Sequence, residues 1–186
     1  MAPESLLLNV KTADDSGECI VSAMAKGIIW AVDSGASVIN ISAEFKDYSR
    51  ELEDAVNYAW TRGAIIIAAA GNDGSQSPVY PAYFNHCLAV AATTPEDTIA
   101  PLSNHGNWVD IAAPGVNIYS TLPGNSYGYK TGTSFATAYV SGLAALLFNV
   151  VADINNNGRL NDEVWAAIEN YCQPIDVDGV GRVACP

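Results

Sequence analysis

Residues 132–142 place a serine hydroxyl where a loop of small residues meets an apolar run. The segment reads Gly-Thr-Ser-Phe-Ala-Thr-Ala-Tyr-Val-Ser-Gly, and the apolar residues 143–150 follow it directly. The pattern predicts that Ser134 lies at the N-terminus of a buried helix, among unpaired backbone N–H groups and at the positive end of the helix dipole. Such a position can stabilise an oxyanion. It also suits an ordinary helix cap, and the pattern alone favours the cap.

A second polar group with suitable chemistry follows a predicted strand. Asn72 comes directly after Gly71, at the end of the apolar run 64–70. If that run is a parallel strand, Asn72 lies at the sheet edge where α/β proteins bind their ligands. Its short amide can then donate a hydrogen bond to an oxyanion, beside the N–H of Ser134. A Gly-Asn pair also makes a left-handed turn with no catalytic role, and the pattern alone favours that turn.

The elements that must position these groups alternate between strand and helix. Apolar runs of strand length are separated by stretches with apolar residues at steps of three and four, which predicts a parallel sheet covered by helices on both faces. No repeat or linker divides the chain, so we expect one domain over residues 1–186. The predicted strands are 5–10, 38–41, 64–70, 88–92, 108–112 and 117–121, and the predicted helices begin near Val21, Ser49, Ser134 and Asn161.

Charge and composition exclude two classes of partner. The 186-residue chain has a formal net charge of -12, from 20 acidic against eight basic residues, so it would repel a nucleic-acid backbone. Hydrophobic residues make up 49% of the chain, enough to bury a core. No apolar run reaches the roughly 20 residues that a membrane span needs, and the first residues do not have the form of a signal peptide. We expect neither nucleic-acid nor membrane partners.

The four cysteines form no Cys-x-x-Cys pair, which gives a zinc site little support. They are either buried or free thiols or members of a disulfide. Cys172 with Cys185 is the first pairing to test, because it would pin a C-terminal tail that has little apolar material of its own.

Several segments, in order along the chain, resemble motifs of the subtilisin-like serine proteases, and among these of the thermitase-like members. Residues 132–142 resemble the serine motif of that family, and residues 68–72 resemble its oxyanion-hole turn. The other segments that carry the resemblance are 2–4, 38–42, 80–82 and 110–115. The resemblance implies a subtilisin-like three-layer α/β fold, with a mostly parallel sheet and helices on both faces, that is incomplete at its N-terminal side.

The resemblance also implies roles for particular residues. Ser134 would be the nucleophile, and Asn72 would share the oxyanion with the N–H of Ser134. No metal or cofactor takes part in that chemistry. The substrate would be a polypeptide, and the family implies a secreted protein. The residues expected to bind the substrate are Ser42, Ala43, Glu44, Ala70 and Gly71.

The family's Asp and His motifs precede the segment that resembles residues 2–4, so we expect both groups on an N-terminal segment outside this sequence. The isolated chain is then predicted to be inactive, and the alternative function is a non-catalytic pseudoprotease or peptide-binding module. Asp33 is not a substitute, because it is predicted at the opposite edge of the sheet from Asn72. His105 follows Asn72 where the family's His precedes it, and His86 has no better claim.

Two departures from the family affect the site. Glu44 stands where the family has glycine, so the pocket rim either favours basic substrates or binds substrate poorly, and the second is slightly favoured. Ala138 replaces the family's proline in the helix after Ser134.

Residues 153–158 begin like a calcium loop of the D-x-N-x-N-G kind, but the twelfth position is Val164 in place of an acid. Structural calcium is therefore one interpretation, and a polar turn between helices is the favoured one.

Overall fold

The computed structural model describes residues 2–173, which form a four-stranded parallel sheet, a two-stranded hairpin and four α-helices. The sheet has the order β1-β2-β3-β4, and the hairpin joins β5 to β6 antiparallel. The strands are β1 (Val38–Ile41), β2 (Ile65–Ala69), β3 (Cys87–Thr93), β4 (Ile111–Pro114), β5 (Ile118–Leu122) and β6 (Ser126–Lys130). The helices are α1 (Val21–Asp33), α2 (Arg50–Thr61), α3 (Thr133–Leu147) and α4 (Asn161–Tyr171).

Local signals in the sequence fix the ends of the first two helices. The Ser49 hydroxyl accepts a hydrogen bond from the backbone N–H of Leu52 and so caps α2. Gly35 and Gly63 follow α1 and α2 with φ of +90° and +84°, a left-handed conformation that glycine adopts at little cost. The starts of the four helices agree with the sequence prediction to within one residue.

The core consists of two apolar layers, one on each face of the sheet. Successive side chains of a strand point to opposite faces, and β2 shows both layers: Ile66 packs against α1 and α2, whereas Ile65 and Ile67 pack against α3 and α4. All five residues of β2 are buried. The predicted three-layer α/β arrangement, with helices on both faces of a parallel sheet, is confirmed.

The predicted strand over residues 5–10 is wrong. The segment joins neither sheet of the described chain, and Leu6 and Leu7 are 99% and 96% exposed. A groove of about 1250 Å³, here called the β1 groove, lies among residues 5–10, α1, β1 and α3. Ladder hydrogen bonds require strands about 4.8 Å apart. Because the groove separates residues 5–10 from β1, this apolar run cannot form ladder hydrogen bonds with that strand.

Two further differences concern the later strands. β4 begins at Ile111, three residues after the predicted start, because the Asp110 carboxylate accepts the N–H of Ala89 on β3 at 2.7 Å and takes the place of a ladder carbonyl. The sequence prediction also missed β6. Its tyrosines, Tyr127 and Tyr129, are exposed and pack on Tyr119 of β5, so β6 lacks the apolar pattern of a buried strand.

Burial of Asp110 predicts an effect of pH on stability. Burial, and the Glu169 carboxylate to a lesser extent, raise its pKa from 3.8 to about 6, while the Ala89 hydrogen bond opposes the shift. Folding therefore favours the protonated acid, so this contribution is complete below pH 3.8 and is lost as pH rises through about 6. Asp110→Asn keeps an oxygen for Ala89 without the charge. In urea unfolding, we expect the variant to gain up to about 3 kcal/mol on wild type between pH 4 and pH 8. Parallel pH profiles of the two proteins would contradict this.

The cysteines have separate environments. Cys87 is buried in β3, and burial raises the pKa of its thiol well above the ordinary value, so it serves as a core residue. Cys185 lies outside the described residues, and its pairing with Cys172 stays a prediction.

Candidate active site

Ser134 is the second residue of α3, in its first turn. The N-cap residue is Gly132, and no side chain caps the helix, so the interpretation of Ser134 as an ordinary cap is wrong. The N–H of Ser134 belongs to the first turn, where N–H groups have no partner within the helix. The side chain is half-buried, and none of the described residues hydrogen-bonds to its Oγ. The hydroxyl is thus available as a nucleophile, but none of the described residues is hydrogen-bonded to it as a base.

Close backbone contact fixes the start of α3 against the sheet. The N–H of Gly132 donates to the carbonyl of Gly115, at 2.8 Å, just beyond β4. A side chain at Gly115 would lie 2.9 Å from the carbonyl oxygen of Gly132 and closer still to Ala92. Glycine at position 115 therefore lets the loop before Ser134 lie directly on the carboxyl end of the sheet.

Asn72 meets the start of α3. Its Oδ1 accepts the backbone N–H of Thr133 at 2.8 Å and lies 3.2 Å from the Thr133 hydroxyl. A backbone N–H can only donate, so this contact determines which amide atom faces the helix and leaves Nδ2 available for another acceptor. The side chain is solvent-exposed. The structure thus brings Asn72 and Ser134 together, with the Asn72 amide and the Ser134 N–H as two donors at one junction.

The turn that presents Asn72 is organised by Asn104, a residue that sequence reasoning missed. Asn104 is 1% exposed. Its Oδ1 accepts the N–H groups of Asp73 and Ser75, both at 3.0 Å, and its Nδ2 donates to the carbonyl of Ala70 at 2.9 Å. Both ends of one amide thus bind the backbone of the turn. An asparagine in a loop of Pro, Ser and Gly gives no sign of such a role.

Gly71 allows two side chains to approach this turn. Its φ is +100°, and its N–H donates to the Thr133 hydroxyl at 3.2 Å. A methyl group on Gly71 would overlap the Glu44 carboxylate and the Asn104 amide. The turn between β2 and Asn72 is therefore restricted both by its backbone conformation and by its neighbours.

We expect Gly71→Ala to destabilise the protein by roughly 2 kcal/mol or more, from the backbone conformation and the overlap together. Gly35→Ala is the matched control, because Gly35 has a similar φ of +90° and a side chain there would meet nothing within 4 Å. Urea unfolding of both variants separates the two causes. Equal losses in the two variants would show that the overlap at Gly71 contributes nothing.

The segment after β1 forms the other side of the site. The Ser42 hydroxyl accepts from Asn40 Nδ2 at 3.1 Å and donates to the Ser134 carbonyl at 3.4 Å. On α3, the Ser141 hydroxyl donates to Asn40 Oδ1 at 3.0 Å. These contacts hold the C-terminal end of β1 against α3. Asn40 is a second contributor that the sequence prediction missed, because it stands within an otherwise apolar strand.

Glu44 reaches across from that segment to Gly71. The carboxylate is half-buried, and burial is the main cause of its raised pKa, followed by the neighbouring Asp73. Lys46 acts in the opposite direction, but its ammonium forms an ion pair with Asp73 at 3.3 Å. Of the residues expected to bind substrate, Glu44 thus lies against Gly71, and Ser42 bonds to the backbone of Ser134.

None of the other acidic and imidazole candidates is bonded to Ser134 within the described part of the chain. Asp33 ends α1, at the edge of the sheet opposite Asn72, and accepts the Tyr58 hydroxyl at 2.7 Å. The chain has two histidines. His86 contacts Asn57 at 2.7 Å and stacks on Trp60, and His105 lies 3.3 Å from the Ser103 carbonyl. Neither imidazole is bonded to Ser134.

The polar loop between α3 and α4 is closed by its own hydrogen bonds. Asp153 accepts the N–H groups of Asn157 and Gly158, and Asp162 accepts the side-chain amides of Asn155 and Asn157. Across residues 2–173, no group of three or more His, Cys, Asp or Glu side chains is placed to share a metal ion. Calcium at this loop stays a prediction from the sequence.

The sequence model of the subtilase family matches residues 1–170. The chain belongs to the subtilase family. It is 45% identical over 179 residues to a thermophilic serine proteinase of Bacillus sp. (strain AK1) and 42% identical over 186 residues to thermitase of Thermoactinomyces vulgaris. These alignments cover 96% and 98% of this chain, but 43% and 64% of the two relatives. The chain thus spans about half the length of the curated relatives that it matches.

Two solved structures of proteases have a similar fold. The prenylagaramide maturation protease PagA superposes with a TM-score of 0.79 at 31% identity, over 88% of this subtilase chain and 61% of PagA. The self-cleaved protease domain of PatA gives a TM-score of 0.76 at 33% identity, over 87% and 63% of the two chains. Among the described helices of this subtilase, none is both long and apolar enough to cross a membrane.

Proposed function

We propose that this chain supplies the nucleophile and the oxyanion hole of a serine endopeptidase, as part of a single peptidase domain that includes residues 1–186. One observation carries the proposal. Asn72 Oδ1 is occupied by the N–H of Thr133, which leaves the Asn72 amide and the Ser134 N–H as donors beside a hydroxyl that bonds to none of residues 2–173. Membership of the subtilase family supports the same chemistry.

In the proposed reaction, Ser134 Oγ attacks the scissile carbonyl carbon while its proton passes to a base. The carbonyl oxygen becomes an oxyanion that accepts from Asn72 Nδ2 and from the Ser134 N–H. Collapse of this intermediate breaks the C–N bond and leaves an ester on Ser134, and the base returns the proton to the leaving amine. Water, deprotonated by the same base, then attacks the ester, and cleavage of its bond to Ser134 Oγ releases the carboxylic acid and returns the proton to the serine. A serine hydroxyl without an adjacent base is a weak nucleophile, and Asp33, His86 and His105 are all bonded elsewhere. The isolated chain is therefore expected to be inactive.

We infer that the base and the acid that orients it, a His and an Asp, come from a polypeptide segment outside this sequence. Two features support this inference: among residues 2–173, β1 pairs with β2 alone, and the β1 groove lies beside it. An extended segment that pairs in parallel with β1 would end next to Asn40 and Ser42, at the same edge of the sheet as Ser134. Its side chains could thus reach Ser134.

The proposed substrate is an extended polypeptide. The backbone after β1 can pair with it as an added strand, and residues 42–44 and 70–71 flank the bond to be cleaved. The protein is proposed to be secreted, by resemblance to the family.

A fluorophosphonate probe, which labels activated serines, tests the function. We expect the full gene product, with any upstream residues present, to be labelled at Ser134, and the isolated 186-residue chain to hydrolyse no peptide. A full gene product that leaves Ser134 unlabelled would favour the pseudoprotease or peptide-binding alternative. Hydrolysis by the isolated chain that Ser134→Ala abolishes would refute the need for an added segment.

A further inference from the structure

Glu44 is an acidic residue of the expected substrate-binding segment 42–44. It lies against Gly71, next to the turn that presents Asn72. No hydrogen bond or ion pair joins its carboxylate to any of residues 2–173. Lys46 is the cation that acts on it, but Lys46 is exposed and is paired with Asp73. A half-buried carboxylate has thus given up part of its hydration without gaining a donor.

The residues around Glu44 make its negative charge less stable in the absence of a cation. Asp73, on the other side of the turn, raises the pKa of Glu44 by repulsion, in addition to the effect of burial. Burying a charge costs free energy unless an opposite charge or hydrogen bonds compensate for it. A cation that entered between residues 42–44 and 70–71 would supply that compensation.

We propose that Glu44 selects substrates whose lysine or arginine side chain binds beside residues 42–44 and 70–71. This inference rests on the proposed function, because it concerns how the same site binds a polypeptide substrate. Gly71 has no side chain and the Glu44 carboxylate lies directly over it, so an ammonium or guanidinium group that enters there meets the carboxylate. A lysine brings a point charge on a flexible stem, whereas an arginine can bind both carboxylate oxygens at once.

The competing possibility is that Glu44 occupies the space that substrate needs beside Gly71 and hinders every substrate. The two possibilities differ in the effect of removing the charge. If Glu44 selects cations, Glu44→Gln weakens the binding of lysine peptides and leaves neutral peptides unaffected. If Glu44 obstructs substrate, Glu44→Gly strengthens the binding of both kinds of peptide.

Equilibrium binding tests the inference without requiring turnover. The protein is the full gene product with Ser134→Ala, and the probes are two fluorescent tetrapeptide amides that differ only in a terminal lysine or norleucine. By fluorescence anisotropy, we expect the lysine peptide to bind about 10-fold more tightly, as for one charge-assisted hydrogen bond. Glu44→Gln is expected to bring the ratio close to one. Glu96→Gln, in the exposed turn 94–98, is the matched control and should leave the ratio unchanged.

Each outcome bears on one proposal or the other. Equal binding of the two peptides, tighter binding of both by Glu44→Gly, or no binding of either peptide would overturn selection by Glu44. A lysine preference that depends on Glu44, together with failure of the fluorophosphonate probe to label the parent protein that retains Ser134, would support the inference and refute the proposed catalytic function.

Discussion

Ser134→Ala is expected to abolish peptide hydrolysis and fluorophosphonate labelling in the full gene product. The substitution removes only the Oγ, which bonds to no described residue, so the fold has little to lose. The reaction, in contrast, loses the atom that attacks the carbonyl. In subtilisin, another subtilase, loss of the serine lowers kcat about 10⁶-fold, and we take over that magnitude. Peptidase assays and mass spectrometry of the labelled protein measure both effects.

Ser126→Ala is the control for that experiment, because the Ser126 hydroxyl lies on the exposed hairpin and donates to the Pro123 carbonyl. It should leave labelling and hydrolysis unchanged. Residual hydrolysis by Ser134→Ala above a few per cent of the parent rate would show that another nucleophile does the chemistry.

Asn72 is expected to show the second largest effect, in kcat more than in KM. In subtilisin, loss of the side-chain donor of the oxyanion hole lowers kcat about 10²- to 10³-fold, and we expect a similar loss for Asn72→Ala. A donor that acts mainly on the oxyanion contributes little to binding of the ground state. Steady-state kinetics of the full gene product separates kcat from KM.

Asn72→Asp is the sharper variant. It keeps an oxygen for the Thr133 N–H, which Asn72 accepts at 2.8 Å, but has no N–H to donate and adds negative charge beside the oxyanion. We therefore expect Asn72→Asp to be as stable as the parent in urea unfolding and slower than Asn72→Ala. If Asn72→Asp retained the parent kcat, Asn72 would be a turn residue only, as its sequence context alone favours.

Much of the fold could be predicted because it follows from short-range patterns. The apolar face of α2 and its cap at Ser49 are both visible along the chain, and they agree with the structure. The prediction of a strand at 5–10 was wrong because a strand needs a neighbouring strand to pair with. Its leucines are as apolar as those of a strand, but the groove separates them from β1. The prediction missed β6 for the opposite reason. This strand pairs with β5 although its tyrosines are exposed, so it lacks the apolar pattern of a buried strand.

In the candidate site, too, the residues that could be predicted are those with a short-range signal in the sequence. The positions of Ser134 and Asn72 could be predicted because each follows a marked boundary, the start of a helix or the end of a buried strand. Asn104 and Asn40 could not, because their hydrogen-bond partners lie far away along the chain: Asn104 bonds to Ala70, 34 residues earlier, and Asn40 to Ser141, 101 residues later. Neither residue type nor local spacing reveals such contacts.

The free edge of β1 also has a consequence for the colloidal behaviour of the chain. Among residues 2–173, β1 pairs on one side only, and the chain also exposes Leu6 and Leu7, so the other side of β1 is a template on which a second copy can pair. The net charge of -12 keeps copies apart at low ionic strength, but salt shortens the range of that repulsion to about 8 Å at 0.15 M. Solubility of the chain with β1 unpaired should therefore fall as salt is added, the reverse of salting-in.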